Sequence, residues 1–181
     1  MGKFPVFFLL LALSALAASA FGAAHNQLSF SVGPDYFHSL KFPQFGIADD
    51  TAPRLGAAIV GVQASWWMGV MVGLPAFLYG LLSVPTARSY FAAGLGAIGL
   101  VFLLSMAAAF NGLILGLVAT STGFLDNAIA IPDPVDRADF LRAGLMHEAS
   151  YLGGGLGALL AFWPMIRAKR RDTEISAGAG A

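Results

Sequence analysis

The chain alternates between four long stretches of apolar residues and shorter polar segments. The apolar stretches cover residues 1–24, 55–82, 90–119 and 143–166. About 20 residues of α-helix are enough to cross the hydrocarbon core of a bilayer, so each stretch is long enough to span a membrane. The pattern predicts an all-α integral membrane protein, built as a four-helix transmembrane bundle.

Residues 1–24 fit either of two kinds of membrane segment. Lys3 precedes an apolar run, and Ala18 and Ala20 form the small-residue pattern at which a secretory signal peptide is cleaved. The run is also long enough to stay in the membrane as a signal anchor and first transmembrane helix. In both cases the segment that follows is carried across the membrane.

Residues 25–54 are predicted to form the first of two extracytoplasmic loops. Leu28, Phe30 and Val32 alternate with polar residues, a pattern typical of a short strand. Phe37, Leu40 and Phe42 are apolar between polar residues and precede a proline, which favours a helical turn lying on the membrane surface. The loop is therefore expected to contain a short strand and an interfacial helical turn.

The remaining polar segments differ in length and charge. Residues 83–89 form a short cytoplasmic connector, and residues 120–142 form an acidic second extracytoplasmic loop. In that loop Asp133 is predicted to cap the fourth helix, with Pro134 at its first position. Residues 167–181 form a basic tail that ends in a low-complexity run, and we expect the tail to be disordered.

Lysine and arginine fall mainly on one side of the predicted bundle. Lys3, Arg88 and the basic residues of 167–171 share that side, whereas aspartates dominate the opposite side. The positive-inside rule therefore predicts a multi-pass protein of the inner (cytoplasmic) membrane whose carboxy terminus is cytoplasmic.

Composition supports a membrane protein and excludes several other classes. The sequence is 57% hydrophobic and only 11% charged, whereas soluble domains contain roughly 25% charged residues. The formal net charge is zero, which gives no electrostatic basis for binding nucleic acid. The absence of cysteine excludes disulfides and iron–sulfur clusters. The expected partners are membrane lipid and other membrane protein subunits or further copies of the chain.

Polar residues on the second, third and fourth predicted helices lie at similar depths below the outer ends of those helices. At about 1.5 Å per residue, these depths fall in the outer third of the bundle. Unpaired polar groups are costly in hydrocarbon, so we expect these side chains to turn inward. They would form either a hydrogen-bond network between helices or a ligand site. The residues are His147, Glu148, Ser150, Tyr151, Gln63 and Asn111.

Pairs of glycines four residues apart occur in the same three helices. This small-xxx-small spacing lets helix backbones approach closely in membranes. The spacing therefore predicts helix packing at Gly69, Gly73, Gly112, Gly116, Gly153 and Gly157.

The sequence contains few signals for metal or cofactor chemistry. A metal site could join His25 and His38 to His147, and His25 could bind copper if cleavage made it the amino terminus. The three histidines lack the close spacing of an established metal motif, so this indication is weak. A haem held by two histidines is not expected, because only His147 falls in a predicted span. The sequence assigns no cofactor.

No catalytic motif is present, so catalytic residues are not assigned. For example, Ala149, Ser150 and Tyr151 follow His147-Glu148 where the H-E-x-x-H motif requires a second histidine. The sequence thus favours a non-enzymatic protein, an accessory or structural subunit of a larger membrane complex. The alternative is a small ligand-, metal- or quinone-binding protein for electron transfer or sensing, with its site in the outer third of the bundle.

Overall fold

The protein is all-helical throughout the part of the chain that the structure describes. The computed structural model describes residues 2–125, 128–129, 131 and 135–178. Within these residues, four helical segments are long and apolar enough to cross a membrane. The predictions of an all-α protein and of four candidate transmembrane helices are confirmed.

The helices that form these four segments are connected by shorter polar and aromatic stretches. They are α1 (Lys3–Val32), α4 (Pro53–Ser83), α5 (Ala87–Thr122), and α6 (Arg137–Leu160) continuing into α7 (Phe162–Gly178). Between α1 and α4 lie α2 (Pro34–Tyr36), a π-helical turn (Phe37–Lys41) and α3 (Phe42–Phe45). We refer to residues 34–45 together as the aromatic segment.

The strand predicted near the start of the first loop is not formed. Helix α1 continues through Leu28 and Phe30 to Val32, and the backbone N–H of Gly33 donates to the Ser29 carbonyl at 3.0 Å. Three alternating positions are too few to distinguish a strand from the end of a helix. Gly33 and the proline after it end the helix. Helix α1 therefore extends beyond residue 24, although the apolar run ends there.

Helix α6 begins at Arg137. Its N-cap is Asp136, whose carboxylate accepts a hydrogen bond from the backbone N–H of Asp139 at 2.9 Å. The backbone N–H of Asp136 donates to the Asp35 carboxylate at 2.8 Å, which joins the aromatic segment to the start of α6. The predicted cap at Asp133 and the predicted first position at Pro134 lie outside the described residues.

The basic tail, for which the sequence predicts disorder, is helical in the structure as far as Gly178. Asp172 of this helix is buried against the start of α5. Its carboxylate accepts hydrogen bonds from the Thr86 hydroxyl at 3.2 Å and from the Ser89 hydroxyl at 2.8 Å. A buried carboxylate with these two partners fixes α7 to the bundle.

The spanning helices pack as two close pairs, the first formed by α1 and α4. Gly22 and Gly61 lie against each other, and a Cβ on either would collide with the backbone of its neighbour. Gly69 lies in the same way against the Ser14 carbonyl. Such backbone contact is possible only because glycine has no side chain.

The second close pair is formed by α5 and α6. Gly112 lies against the Leu145 carbonyl, and Gly153 lies against Ala108 and the Leu104 carbonyl. The other three glycines of the predicted packing set, Gly73, Gly116 and Gly157, face Ser14, Arg142 and Val101 respectively. All six predicted glycines therefore lie next to a neighbouring helix.

The two pairs meet most closely at their ends. At one end an apolar cluster includes Leu10, Phe77, Tyr90 and Met165, and the Tyr90 hydroxyl donates to the Phe77 carbonyl at 2.8 Å. At the other end a second cluster contains residues of the aromatic segment with Val60 and Ala143. The candidate site adjoins this second cluster, and a larger cavity between the two pairs lies next to it.

Replacing Gly112 by alanine should destabilise the protein. The added methyl group would meet the Leu145 carbonyl, and overpacking of this kind costs about 1–3 kcal/mol. The matched control is Gly155→Ala, because a Cβ at Gly155 meets no other group within 4 Å. Thermal unfolding in mild detergent should show a lower Tm for Gly112→Ala and an unchanged or higher Tm for Gly155→Ala. Equal Tm values would contradict the close contact.

Candidate functional site

Two buried histidines from different candidate spans face each other. His25 of α1 and His147 of α6 have ring centroids 4.6 Å apart, with the rings nearly perpendicular. Their exposed fractions are only 2% and 5%. The sequence analysis assigned His25 to a loop, but the continuation of α1 to Val32 carries this residue into the bundle. The centre of the candidate site is therefore a histidine pair.

Hydrogen bonds hold the two rings against their helices. His147 Nε2 and the Ser29 hydroxyl share a hydrogen bond of 3.2 Å, which connects α6 to α1. His25 Nδ1 is 3.3 Å from Asn26 Oδ1, and Asn26 Nδ2 donates to the Ala57 carbonyl of α4 at 3.0 Å. Among the described residues, the buried Nε2 of His25 has no hydrogen-bond partner. The Met146 backbone also lies near the His25 ring, so a ligand at Nε2 would bind beside this backbone.

Aromatic rings enclose the histidine pair. The centroids of Tyr36 and Phe37, both in the aromatic segment, lie 5.1 and 5.8 Å from that of His147. Phe21 of α1 stacks on His25 with a centroid distance of 5.5 Å. Ring contacts at these distances are favourable. The aromatic segment thus covers one side of the pair.

The same segment brings two titratable groups close to Glu148. Burial lowers the pKa of Lys41, and the negative charge of Glu148 partly opposes this shift. Burial raises the pKa of Tyr36, and the nearby Tyr151 and Glu148 raise it further. Tyr36 is thus an un-ionised phenol at neutral pH, and desolvation makes Lys41 a weaker base than a lysine in water.

Two adjoining cavities lie beside the histidines. The smaller, about 30 Å³, is lined by both histidines and by Lys41. That volume is enough for a water molecule or a small polar group. The larger, about 100 Å³, lies between the two helix pairs and is mainly apolar. The cavities have four lining residues in common, Phe21, Ser65, Ser150 and Tyr151. A polar pocket is therefore adjacent to an apolar one.

The structure brings together part of the predicted polar set. His147, Ser150 and Tyr151 line the small cavity, and the Ser150 hydroxyl donates to the His147 carbonyl at 2.7 Å. Glu148 is exposed, although its charge acts on Lys41 and the two tyrosines. These four residues lie within five positions of α6, which explains why one sequence stretch indicated them.

Gln63 and Asn111 do not join this group. Both are exposed, and Asn111 donates to the Ala107 carbonyl of its own helix at 2.8 Å. Depth along a helix does not determine the direction in which a side chain points. Gln63 follows the closely packed Gly61 by two residues, which is about 200° of rotation around the axis of α4.

The three histidines proposed as metal ligands do not meet. His38 is exposed and packs against Phe30 and Phe42, with centroid distances of 5.9 and 5.0 Å. In the described parts of the chain, no group of three or more histidine, aspartate or glutamate side chains could hold a metal ion. Of the three proposed metal ligands, only His25 and His147 lie next to each other in the described structure.

A bis-histidine haem was not expected because only His147 falls in a predicted span, whereas in the structure both His25 and His147 belong to candidate spanning helices. However, the two rings are in direct contact at 4.6 Å. A bis-histidine haem needs the rings on opposite faces of the macrocycle, and this arrangement leaves no room for it.

Several residues of the site were not indicated by the sequence pattern. Asn26, Ser29, Lys41 and Ser65 contact or line the histidine pair, and His25 was considered only as a metal ligand. A usable signal was present, because His25 and Ser29 are four residues apart and would share a helix face if the first helix continued. The apolar run ends before His25, so the sequence pattern alone does not predict that the helix continues to Ser29.

Comparisons with models of protein families, with curated proteins and with solved structures found no match to this chain. The class of the protein therefore rests on its own fold and geometry. It is an all-helical protein with four candidate membrane-spanning helices. Two of these helices hold the buried histidine pair beside the adjoining cavities.

Replacing Ser29 by alanine should destabilise the protein. The change removes the partner of His147 Nε2 in a fully buried position, and an unpaired buried polar atom costs about 1–3 kcal/mol. Ser19→Ala is the matched control, because the Ser19 hydroxyl donates only to the Ala15 carbonyl of its own helix. A Tm for Ser29→Ala no lower than that of the control would show that the bond between α1 and α6 is unimportant.

Proposed function

We propose that the protein binds a quinone-class amphiphile, with the carbonyl head at the histidine pair and the ring in the larger cavity. The observation that carries the proposal is the buried Nε2 of His25, which has no hydrogen-bond partner among the described residues and belongs to a cavity-lining side chain. Such a site would serve quinone sensing or electron transfer. The proposal places the chain in the cytoplasmic membrane with its carboxy terminus cytoplasmic and the site in the outer part of the bundle.

The small cavity offers hydrogen-bond donors suited to a carbonyl oxygen. A neutral imidazole can carry its proton on Nε2, and an ammonium group and a phenol are donors as well. Lys41 and Tyr151 line this cavity together with His25. A ligand carbonyl that accepted from His25 would also remove the cost of an unpaired buried nitrogen.

The larger cavity suits the apolar part of the same ligand. Its walls include Phe21, Met68, Val72 and Phe102, and it is partly open at the protein surface. Phe21 and Phe102 meet edge to face with centroids 5.5 Å apart, so an aromatic ring could pack beside them. Mostly apolar walls with a few convergent polar groups are typical of sites for small organic ligands.

Decylubiquinone, a short-chain quinone, should raise the Tm of the purified protein, because a ligand that binds only the folded state stabilises it. His25→Leu should abolish most of this shift and weaken binding about ten-fold or more, the effect of losing roughly 1.4 kcal/mol. The shift is measured against the ligand-free Tm of each variant, because His25→Leu removes a nitrogen with no partner in the described structure but also removes the partner of Asn26 Oδ1.

The control for this experiment is His38→Leu, which changes an exposed histidine of the aromatic segment outside both cavities. It should retain the quinone-induced shift. The proposal fails if wild-type protein gives no shift, or if His25→Leu and His38→Leu respond equally to decylubiquinone.

A second candidate function, accessory or structural subunit of a membrane complex, is favoured by the exposed face of α4. The Gln63 side chain is exposed on this spanning helix. Trp66 and Trp67 follow it with exposed fractions of 52% and 48%. An amide that faces hydrocarbon gains stability when a neighbouring transmembrane helix supplies a hydrogen bond. We propose that α4 contacts another subunit or a second copy at this position.

Gln63→Leu should weaken this association. Light scattering during size-exclusion chromatography in mild detergent should give a protein mass above that of one chain, and the variant should shift it toward one chain. Asn111→Leu is the matched control, since the Asn111 amide is exposed but already donates to the Ala107 carbonyl. A wild-type protein that always runs as an isolated monomer would contradict the subunit proposal without affecting the quinone proposal.

A further inference from the structure

A long groove runs between α5 and α7, at the opposite end of the bundle from the histidine pair. Its volume is about 870 Å³, which falls in the range of about 300–1,000 Å³ found for pockets that hold organic ligands. The floor is formed by small and apolar residues of α5, namely Ala92, Ala93, Gly96, Gly99, Leu100 and Leu103. The groove therefore has an apolar floor along a candidate transmembrane helix.

Two glycines keep this floor open. A Cβ at Gly99 would meet no other group within 4 Å. At Gly96 the nearest group is the ring of Pro164, at 3.8 Å. These glycines differ from Gly112, whose missing side chain makes room for another helix. Here the missing side chains leave space that no described part of the chain fills.

The rim of the groove on α7 is basic. Arg167, Arg170 and Arg171 line it together with one carboxylate, that of Glu174. The guanidinium of Arg167 lies over the ring of Trp163, 5.3 Å from its centroid, and Trp163 also lines the groove. Tryptophan and arginine are typical of the boundary between hydrocarbon and lipid headgroups.

The basic helix is held in place beside the groove. Asp172 is buried and accepts hydrogen bonds from the Thr86 and Ser89 hydroxyls. Arg171 donates to the Ser89 hydroxyl at 3.3 Å and lies 3.8 Å from the Asp172 carboxylate. These contacts fix α7 against the start of α5, so the arginines are pre-positioned at the rim.

We propose that this groove binds an anionic phospholipid, with an acyl chain along the α5 floor and the phosphate at the arginines of α7. The groove combines an apolar floor on α5 with a basic rim on α7, as a phospholipid combines hydrocarbon with an anionic phosphate. Guanidinium groups pair well with phosphate oxygens, and basic pockets between membrane helices are known headgroup sites. Arg171 is paired with Asp172, but Arg167 and Arg170 against Glu174 still leave the rim positive, which favours an anionic headgroup over a zwitterionic one.

The test uses the full chain in mild detergent and native mass spectrometry with added phosphatidylglycerol or phosphatidylcholine. Phosphatidylglycerol should be retained preferentially. Arg167→Gln and Arg170→Gln should each weaken its binding about five-fold, the usual effect of one basic residue near an anionic lipid. Lys169→Gln removes the same charge from the same helix, but Lys169 does not line the groove, so this control should bind as wild type does.

A second pair of variants tests the acyl-chain position. Gly99→Leu should fill the floor and reduce retention of phosphatidylglycerol at least five-fold. Gly155→Leu adds the same side chain on α6, also at a position with open space, and should have no effect. Both variants should fold, which a Tm measurement verifies. Glycerol 3-phosphate, which has a phosphate and no acyl chain, should not compete with the lipid.

Three results would overturn the proposal. Equal weakening by Lys169→Gln and the two arginine variants would indicate general attraction to a basic helix. Unchanged binding to Gly99→Leu would show that the floor holds no acyl chain. Competition by glycerol 3-phosphate would identify a phosphate site without a lipid. The quinone experiment has no bearing on these results, because the groove and the histidine site have no lining residue in common.

Discussion

Backbone contact at glycine is the interaction on which the rest of this structure depends. In a bilayer, apolar side chains gain little by leaving lipid for a helix interface, so close packing must hold the helices together. Gly22 against Gly61 provides this for the first pair, and Gly112 against the Leu145 carbonyl provides it for the second. The tight contacts lie within each pair, so the less complete packing falls between the pairs, where the larger cavity lies.

Polar contacts then fix how the two pairs meet. The hydrogen bond between Ser29 and His147 joins α1 to α6, and the bond from Asp136 to Asp35 joins the aromatic segment to the start of α6. Both lie at the end of the bundle that carries the candidate site. The site is consequently also a junction between the pairs, and its occupation by a ligand would act on the same contacts that hold the pairs together. Binding and bundle stability are therefore expected to be coupled.

The sequence was sufficient for the number of spanning helices, because apolar length alone decides whether a helix can cross a bilayer. It also indicated the α6 side of the site, since His147 and Ser150 interrupt an apolar stretch. It did not indicate the α1 side, because α1 continues beyond its apolar run. It did not determine where Gln63 and Asn111 point, because depth along a helix is independent of the rotation that directs a side chain to a neighbour or to lipid.

Glycine spacing likewise indicates where another group can approach a helix closely, but it does not identify that group. Gly112 and Gly99 look alike in the sequence, yet one faces a helix backbone and the other faces open space. A glycine inside a helix costs about 1 kcal/mol relative to alanine. At Gly112 the contact with α6 offsets this cost. At Gly99 no described part of the chain does, and an acyl chain bound as proposed would supply such a contact there.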